Sequence, residues 1–164
     1  MAEIRIRKRR RLRNKEAKAL AEELSEKMGT ETFSPEGAVD KAQSTDFDVI
    51  FVEGEIRALV YDGRAFLTIR GILAYGAERR FVTVDMGAVP YVSNGADIMA
   101  PGVVEADPGI SEGDLVWIRD ERNHRPLAMG KAILPGKEMV SLGSGKAVET
   151  IHFIGDKLWQ YDQQ

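Results

Sequence analysis

Two histidines, a Gly-Ser-Gly-Lys tetrapeptide and a scatter of carboxylates are the residues from which catalysis or metal binding would have to start in this chain of 164 residues. His124 falls in a polar turn and His152 in an apolar-alternating stretch, so no helical pair of metal ligands is formed. The absence of cysteine removes thiolate nucleophiles, disulfides and cysteine-ligated zinc together. No two carboxylates stand in a glycosidase-like or metal-binding context. Gly143-Ser144-Gly145-Lys146 resembles the end of a phosphate loop, but Val140 stands where that loop needs its first glycine, and Ala147 follows the lysine in place of Ser or Thr. It is expected to be a glycine-rich turn. No enzyme activity, metal or cofactor is expected.

Two other stretches carry chemistry of a different kind. Residues 1–18 hold Arg5, Arg7, Lys8, Arg9, Arg10, Arg11, Arg13, Lys15 and Lys18 against Glu3 and Glu16, a balance of +7 in a chain whose net charge is −3. A basic arm on an acidic body predicts a localised contact with a polyanion, either nucleic acid or an anionic membrane surface. The second stretch is VDMGAVPYVSNGADIMAPGV, residues 84–103, where Asp85 and Asp97 are the only charges in a chain that is 30% charged. It is too irregular for a core segment and too apolar for a plain loop. A surface on which another molecule lies against the backbone would have this composition, because glycine removes the Cβ that holds a ligand away.

Elements to position these stretches follow from periodicity. Residues 3–7 alternate and could form a short strand. Asn14 is a good N-cap; Ala17, Leu20, Ala21, Leu24 and Met28 recur at helical spacing, and Gly29 closes the helix. Lys15 and Lys18 then sit in the first turn, against the helix dipole. Ser34-Pro35 predicts a second, shorter helix. From Phe47, DVIFVEGEIRALVYDGRAFLTIR predicts three strands with a tight turn at Asp62-Gly63. A strand over residues 80–84 and a short helix over 87–93 come next. Strands over 103–104, 114–119, 127–134 and 149–154 follow, separated by turn signals, a spacing that predicts a small barrel.

In order and spacing, Val84-Asp85-Met86-Gly87-Ala88, Asn94-Gly95-Ala96-Asp97-Ile98-Met99-Ala100-Pro101-Gly102-Val103, Glu112-Gly113-Asp114-Leu115-Val116, Leu127-Ala128-Met129-Gly130-Lys131-Ala132 and Ile151-His152-Phe153 resemble a PUA domain. NGADIMAPGV and IHFIGDKLW are further similar to the malignant T-cell amplified sequence family, which includes the N-terminal half of ligatin and standalone archaeal members. The resemblance implies an α+β N-terminal domain followed by a mostly-β PUA pseudobarrel. The expected division is a mixed α/β domain with its basic arm at 1–79, the PUA domain at 80–157 and a C-terminal tail at 158–164.

The resemblance also implies RNA contact at Gly87, Ala88, Val89, Pro90, Asn94, Gly95 and Ala96, with Lys131 from the strand facing that groove. Unpaired N–H groups at Gly87 and Ala88 would suit a phosphate, and Asp85 is expected to cap the helix. Val89 and Met99 could pack against a base or sugar, although Ile98, Met99 and Val103 are expected in the core. Residues 80–157 are themselves acidic, so the arm from Arg5 to Arg13 is expected to hold the phosphate backbone while the PUA groove receives an RNA end. The function implied is a non-catalytic RNA-binding protein of the translation apparatus, taking tRNA or rRNA, at the small ribosomal subunit. The alternatives are an accessory subunit of an RNA-modifying enzyme and a protein-interaction module. A cytoplasmic monomer without a membrane partner is expected.

Overall fold

A computed structural model describes residues 4–161, and the chain divides into two compact units: residues up to Glu78 with the segment from Lys157 onward, and Arg79–Asp156. The first unit is a five-stranded antiparallel sheet ordered β1 (Arg7–Arg11), β2 (Val39–Gln43), β3 (Asp48–Val52), β4 (Glu55–Tyr61) and β5 (Arg64–Leu67). Two hairpins close it through two-residue turns, Glu53-Gly54 and Asp62-Gly63, with φ of 52° and 84° and of 51° and 78°. Positive φ at both central residues matches the right-handed twist of the flanking strands, which is why Gly occupies the second position of each. Helix α1 (Asn14–Met28) buries Ala17, Ala21, Leu24 and Met28 and ends at Gly29, whose φ is 72°. The sequence pattern predicts that helix. Its cap differs: Asn14 is the first helical residue, and the Glu16 carboxylate accepts from the Arg13 backbone N–H at 3.2 Å.

Three expectations for this unit are corrected. The basic run is not a free arm: Arg7–Arg11 is itself the edge strand, pairing Arg10 with Lys41 and Arg11 with Asp40, whereas residues 4–6 precede it and Glu3 lies outside the described residues. All five side chains are exposed, and a bulge with φ of 53° at Lys8 interrupts the register. Edge strands rich in cations resist further strand pairing, so the composition is compatible with the position. The Ser34-Pro35 helix is a turn, because Ser34 Oγ accepts from Glu36 N at 3.3 Å and β2 begins five residues later. Residues 69–70, expected to end a strand, begin helix α2 (Ile69–Tyr75), capped by Thr68 Oγ1 accepting from Gly71 N at 3.1 Å.

Asp40 organises the basic edge. Its carboxylate accepts from Arg9 Nε at 2.8 Å and Arg11 Nε at 2.5 Å, and the Arg9 guanidinium lies 3.8 Å from the centre of the buried Phe51 ring. Arg10 pairs with Glu16 at 3.1 Å. Burial raises the Asp40 pKa, but Arg11 and Arg9 outweigh it and hold the carboxyl below its usual range. Arg10 and the Arg13 backbone N–H pull the exposed Glu16 down to about 2.

The second unit is a six-stranded sheet. In chain order it contains β6 (Phe81–Val84), α3 (Val89–Val92), β7 (Ile98–Met99), a 3-10 turn (Ala100–Gly102), β8 (Val103–Ala106), β9 (Leu115–Asp120), β10 (Pro126–Ala132), α4 (Gly136–Ser141) and β11 (Lys146–Phe153). Its strand order is β7-β11-β10-β9-β6-β8, with β6 and β9 parallel and the other neighbours antiparallel. Alternation along β6 and β9 sends Val82, Val84, Val116 and Ile118 inward, where they meet Leu127, Met139 and Val148. This is the pseudobarrel that the strand spacing predicts. Pro135-Gly136, one of the turn signals after the strand expected over 127–134, opens α4: Gly136 packs so close to the Asp107 carbonyl that no Cβ would fit. The described C-terminal residues are not a separate tail. Helix α5 (Lys157–Tyr161) joins the first unit, where Arg70 donates to the Trp159 carbonyl at 3.0 Å and stacks 3.7 Å from the centre of its ring. No helix among the described residues is long and apolar enough to cross a membrane.

Asp40→Asn is expected to lower stability by about 1.5–3 kcal/mol, the usual worth of hydrogen bonds to charged groups. The sign with pH follows from the depressed pKa: the carboxylate's contribution is complete above the unfolded value near 3.9 and is lost as pH falls through the lower folded value. Urea unfolding across pH 2–7 checks it, with the variant showing a shallower loss of stability on the acid side than the parent protein.

Candidate functional site

The glycine-punctuated segment leaves the core at the end of β6 and folds into a tight turn before α3. Asp85 sets that turn: its Oδ1 accepts from Ala88 N at 2.9 Å, and its backbone N–H donates to the Gly102 carbonyl at 2.9 Å. Asp85 thus braces the turn ahead of the helix rather than capping it as the sequence predicts: Ala88 stands at the N-cap position, with no side-chain cap bond. The same bond corrects the expectation of a free amide at Ala88, since that N–H is already occupied. The helix is also shorter than expected, four residues with Pro90 in its first turn. Val92 on its inner side is buried against the barrel core, with Val89 half-buried beside it.

Between this turn, α3 and β7 lies an open cavity of about 210 Å³, lined by Gly87, Ala88, Tyr91, Val92, Asp97, Ile98, Met99 and Gly102. Gly87 is exposed at the mouth, and a Cβ on Gly102 would stand 3.3 Å from that of Ala88, so both glycines keep the floor low. Tyr91 is 70% exposed and Met99 50% exposed, two large apolar side chains facing solvent. Met99 was expected in the core. It faces out because alternation along the two-residue β7 gives the inward position to Ile98, which is 2% exposed. The one carboxylate in the lining, Asp97, accepts from Lys146 Nζ at 2.9 Å and from Thr150 N at 2.9 Å. Lys146 draws its pKa below the usual range. Gly145, in the Gly-Ser-Gly-Lys turn, accepts from Ala100 N at 2.8 Å, which ties that turn to the residue after Met99.

The structure brings only part of the expected site together. Gly87 and Ala88 line the cavity. Exposed Pro90, Asn94 and Ala96 lie on α3 and the turn after it but outside the lining. Gly95 has a structural duty: its φ is 90°, and a Cβ would fall 2.7 Å from the Phe153 ring. Lys131 is half-buried in β10 between Leu115 and Glu149 and does not line the cavity. In the first unit, Arg9, Arg10 and Arg11 are engaged with Asp40 and Glu16, whereas Arg5, Arg7 and Lys8 are exposed and form no ion pair among the described residues. Exposed Arg13 has its backbone on Glu16. A larger cavity of about 540 Å³ in the first unit is lined by Lys18, Glu22, Ser25 and Thr32 among others, but the two hydroxyls bond each other at 3.0 Å and present nothing unsatisfied to a ligand.

A six-stranded pseudobarrel with this short helix, its capped turn and its glycine-lined cavity defines a PUA domain, and the PUA domain family matches residues 80–154. The likeness extends beyond that domain. An uncharacterised protein of Methanocaldococcus jannaschii is 37% identical over 158 residues, 95% of this chain and 98% of its own. A crystal structure of a hypothetical protein from Pyrococcus horikoshii superposes with a TM-score of 0.84 at 33% identity, over 94% of this chain and 99% of that one. Among named relatives, translation machinery-associated protein 20 of Saccharomyces cerevisiae is 37% identical over 49% of this chain and 48% of its own length. The malignant T-cell-amplified sequence 1 homolog of Drosophila melanogaster is 35% identical over 49% and 47% respectively. The chain belongs to the family of PUA-domain proteins that takes in these malignant T-cell-amplified sequence homologues and archaeal relatives. The matches to the two eukaryotic proteins span about half of their length.

Gly95→Ala is expected to destabilise the second unit by about 1–3 kcal/mol, since it combines a positive φ with an overpacked contact on Phe153. Chemical denaturation of the variant checks this. A loss in the same range from Gly87→Ala would show that the ring contact is not the cause, because a Cβ there meets only Asp85 Oδ1 at 3.3 Å.

Proposed function

We propose that this protein is a non-catalytic RNA-binding protein of the translation apparatus, whose PUA cavity receives the terminal nucleotide of a structured RNA, a tRNA 3′ end or an rRNA segment at the small ribosomal subunit. The observation that carries the reading is Tyr91, 70% exposed at the rim of a glycine-floored cavity of about 210 Å³. Recognition of single-stranded RNA ends rests on splayed bases stacked against aromatic side chains with the backbone close by. Tyr91 supplies the ring, Met99 an apolar wall, and Gly87 and Gly102 the close approach. Asp97 supplies acceptor oxygens fixed by Lys146 and Thr150. Gly87, Ala88 and the exposed Asn94 and Ala96 remain the proposed contacts of the segment, with Val89 and Gly95 supporting them from the barrel side. The likeness to translation machinery-associated protein 20 of yeast supports the assignment to translation.

The first unit adds charge rather than shape. Arg5, Arg7, Lys8 and Arg13 are the proposed phosphate contacts; Arg9 to Arg11 contribute less, because Asp40 and Glu16 offset part of their charge. Removing residues 1–13 would take away a whole strand of the sheet, so substitution is the sound way to probe them.

Fluorescence anisotropy of the full chain with a tRNA, intact or lacking its 3′-terminal nucleotides, tests the reading. Tyr91→Ala is expected to weaken binding of intact tRNA roughly tenfold, as loss of one base–aromatic stack does. The triple variant Arg5→Gln, Arg7→Gln, Lys8→Gln is expected to reduce the salt slope by about 3. Equal affinity for intact and trimmed tRNA, together with no effect of Tyr91→Ala, would overturn the role of the cavity.

A further inference from the structure

The turn between β9 and β10 sits beside the cavity because of the sheet's connectivity. Strands β6 and β9 run parallel with Val84 opposite Asp120, so both chains leave the sheet at the same end. Adjacent strands are about 4.8 Å apart, and the two exits therefore start as neighbours. Glu121 N donates to the Val84 carbonyl at 3.0 Å, which ties the second exit to the residue just before Asp85. One exit becomes the Asp85–Ala88 turn that lines the cavity; the other becomes residues 121–125.

That second turn is rigidly built. The Asp120 side chain is buried, and its carboxylate accepts from the backbone N–H groups of Arg122 at 2.9 Å, Asn123 at 2.6 Å and Arg125 at 3.2 Å. His124 closes the turn with φ of 55°. Because backbone amides satisfy Asp120, the side chains of Arg122, Asn123, His124 and Arg125 are left exposed to solvent. The Arg125 side chain is 71% exposed, with its Nε 3.6 Å from Asp120. Arg122 makes no ion pair among the described residues.

Within the second unit Arg122 and Arg125 are two exposed guanidinium groups on one turn, and the Arg125 contact with Asp120 is long, at 3.6 Å. Arg119 is held by Glu105 and Thr83, Lys146 by Asp97, and Arg80 by Asp114. The anions nearby are Asp120, buried and bonded to the backbone of the turn, Glu121, exposed in the turn, and Asp85, whose Oδ1 is taken by Ala88 N. A guanidinium fork matches two phosphate oxygens and remains charged at any working pH.

We propose that Arg122 and Arg125 form a phosphate clamp for the RNA strand whose last nucleotide enters the neighbouring cavity. This rests on the reading of the cavity given above, and deepens it by assigning backbone contacts to a turn of the PUA domain itself. The clamp fixes the direction of the strand while the cavity holds its end. It also answers the acidic balance of the domain, by placing two exposed guanidinium groups where the phosphates pass.

The test is anisotropy of the full chain with the intact tRNA from 50 to 300 mM KCl, comparing the parent protein, Arg122→Gln/Arg125→Gln and Tyr91→Ala. The double variant is expected to lower affinity roughly ten- to a hundredfold near 0.1 M salt and to reduce the salt slope by about 2. Tyr91→Ala is expected to lower affinity with the slope unchanged. Thermal unfolding of the double variant should stay close to the parent, since the three hydrogen bonds of Asp120 are to backbone and only the exposed 3.6 Å ion pair of Arg125 is lost. If Tyr91→Ala weakens binding while the arginine variant keeps the parent's affinity and slope, the clamp is overturned and the cavity stands. A parent protein that does not bind tRNA overturns both.

Discussion

The parallel register of Phe81–Val84 with Trp117–Asp120 is the constraint on which the candidate site depends. In an antiparallel pairing the two following segments would leave from opposite ends of the barrel. Here Val82 against Ile118 and Val84 against Asp120 hold both exits together, and the hydrogen bond from Glu121 to Val84 extends the pairing past the strands. Each exit is then folded by a carboxylate collecting backbone amides, Asp85 in one and Asp120 in the other. Both acids are consumed by their own turns. What is left facing solvent is apolar on one side, Tyr91 and Met99, and cationic on the other, Arg122 and Arg125. Burial of the strands thus determines where the exposed chemistry sits.

A different balance governs the first unit. Read by composition, residues 1–18 are a block of positive charge, but the fold spends three of those arginines locally. Asp40 lies on the neighbouring strand, and its position opposite Arg11 brings two guanidinium groups onto one carboxylate. Arg9 is held as well by the face of Phe51, a contact combining cation and ring that survives salt better than an exposed ion pair. The outward charge of the edge is carried by Arg5, Arg7, Lys8 and Arg13.

Much of the second unit was legible because local signals and tertiary demands agree there. The apolar runs of β9 and β10 point to the strands observed, and the glycine-rich segment does leave the core after β6 as its composition suggests. The failures have separate physical causes. Met99 looks like core by type, but only the pairing of β7 with β11 reveals that it faces outward. The arginine-rich strand has no apolar alternation to announce it; its partner is β2, some thirty residues away, and its stability comes from pairing rather than pattern. Helix α2 hides inside a strand-like run because Thr68 works as a cap only once Gly71 packs against the Arg57 carbonyl. The position of residues 121–125 beside the exit of β6 was invisible for the same kind of reason, since a polar turn shows its neighbour only across a parallel pair.

Helix α5 gives the chain an interlaced order. The first unit is built from residues on both sides of the second, with Trp159 held by Arg70 and Tyr161 set edge-on to Phe51 at 6.2 Å. During synthesis the barrel, being continuous in sequence, can close as soon as its last strand has emerged. The domain made first must wait, with one flank of Phe51 and the Arg70 guanidinium uncovered, until the very end of the described chain arrives to finish it.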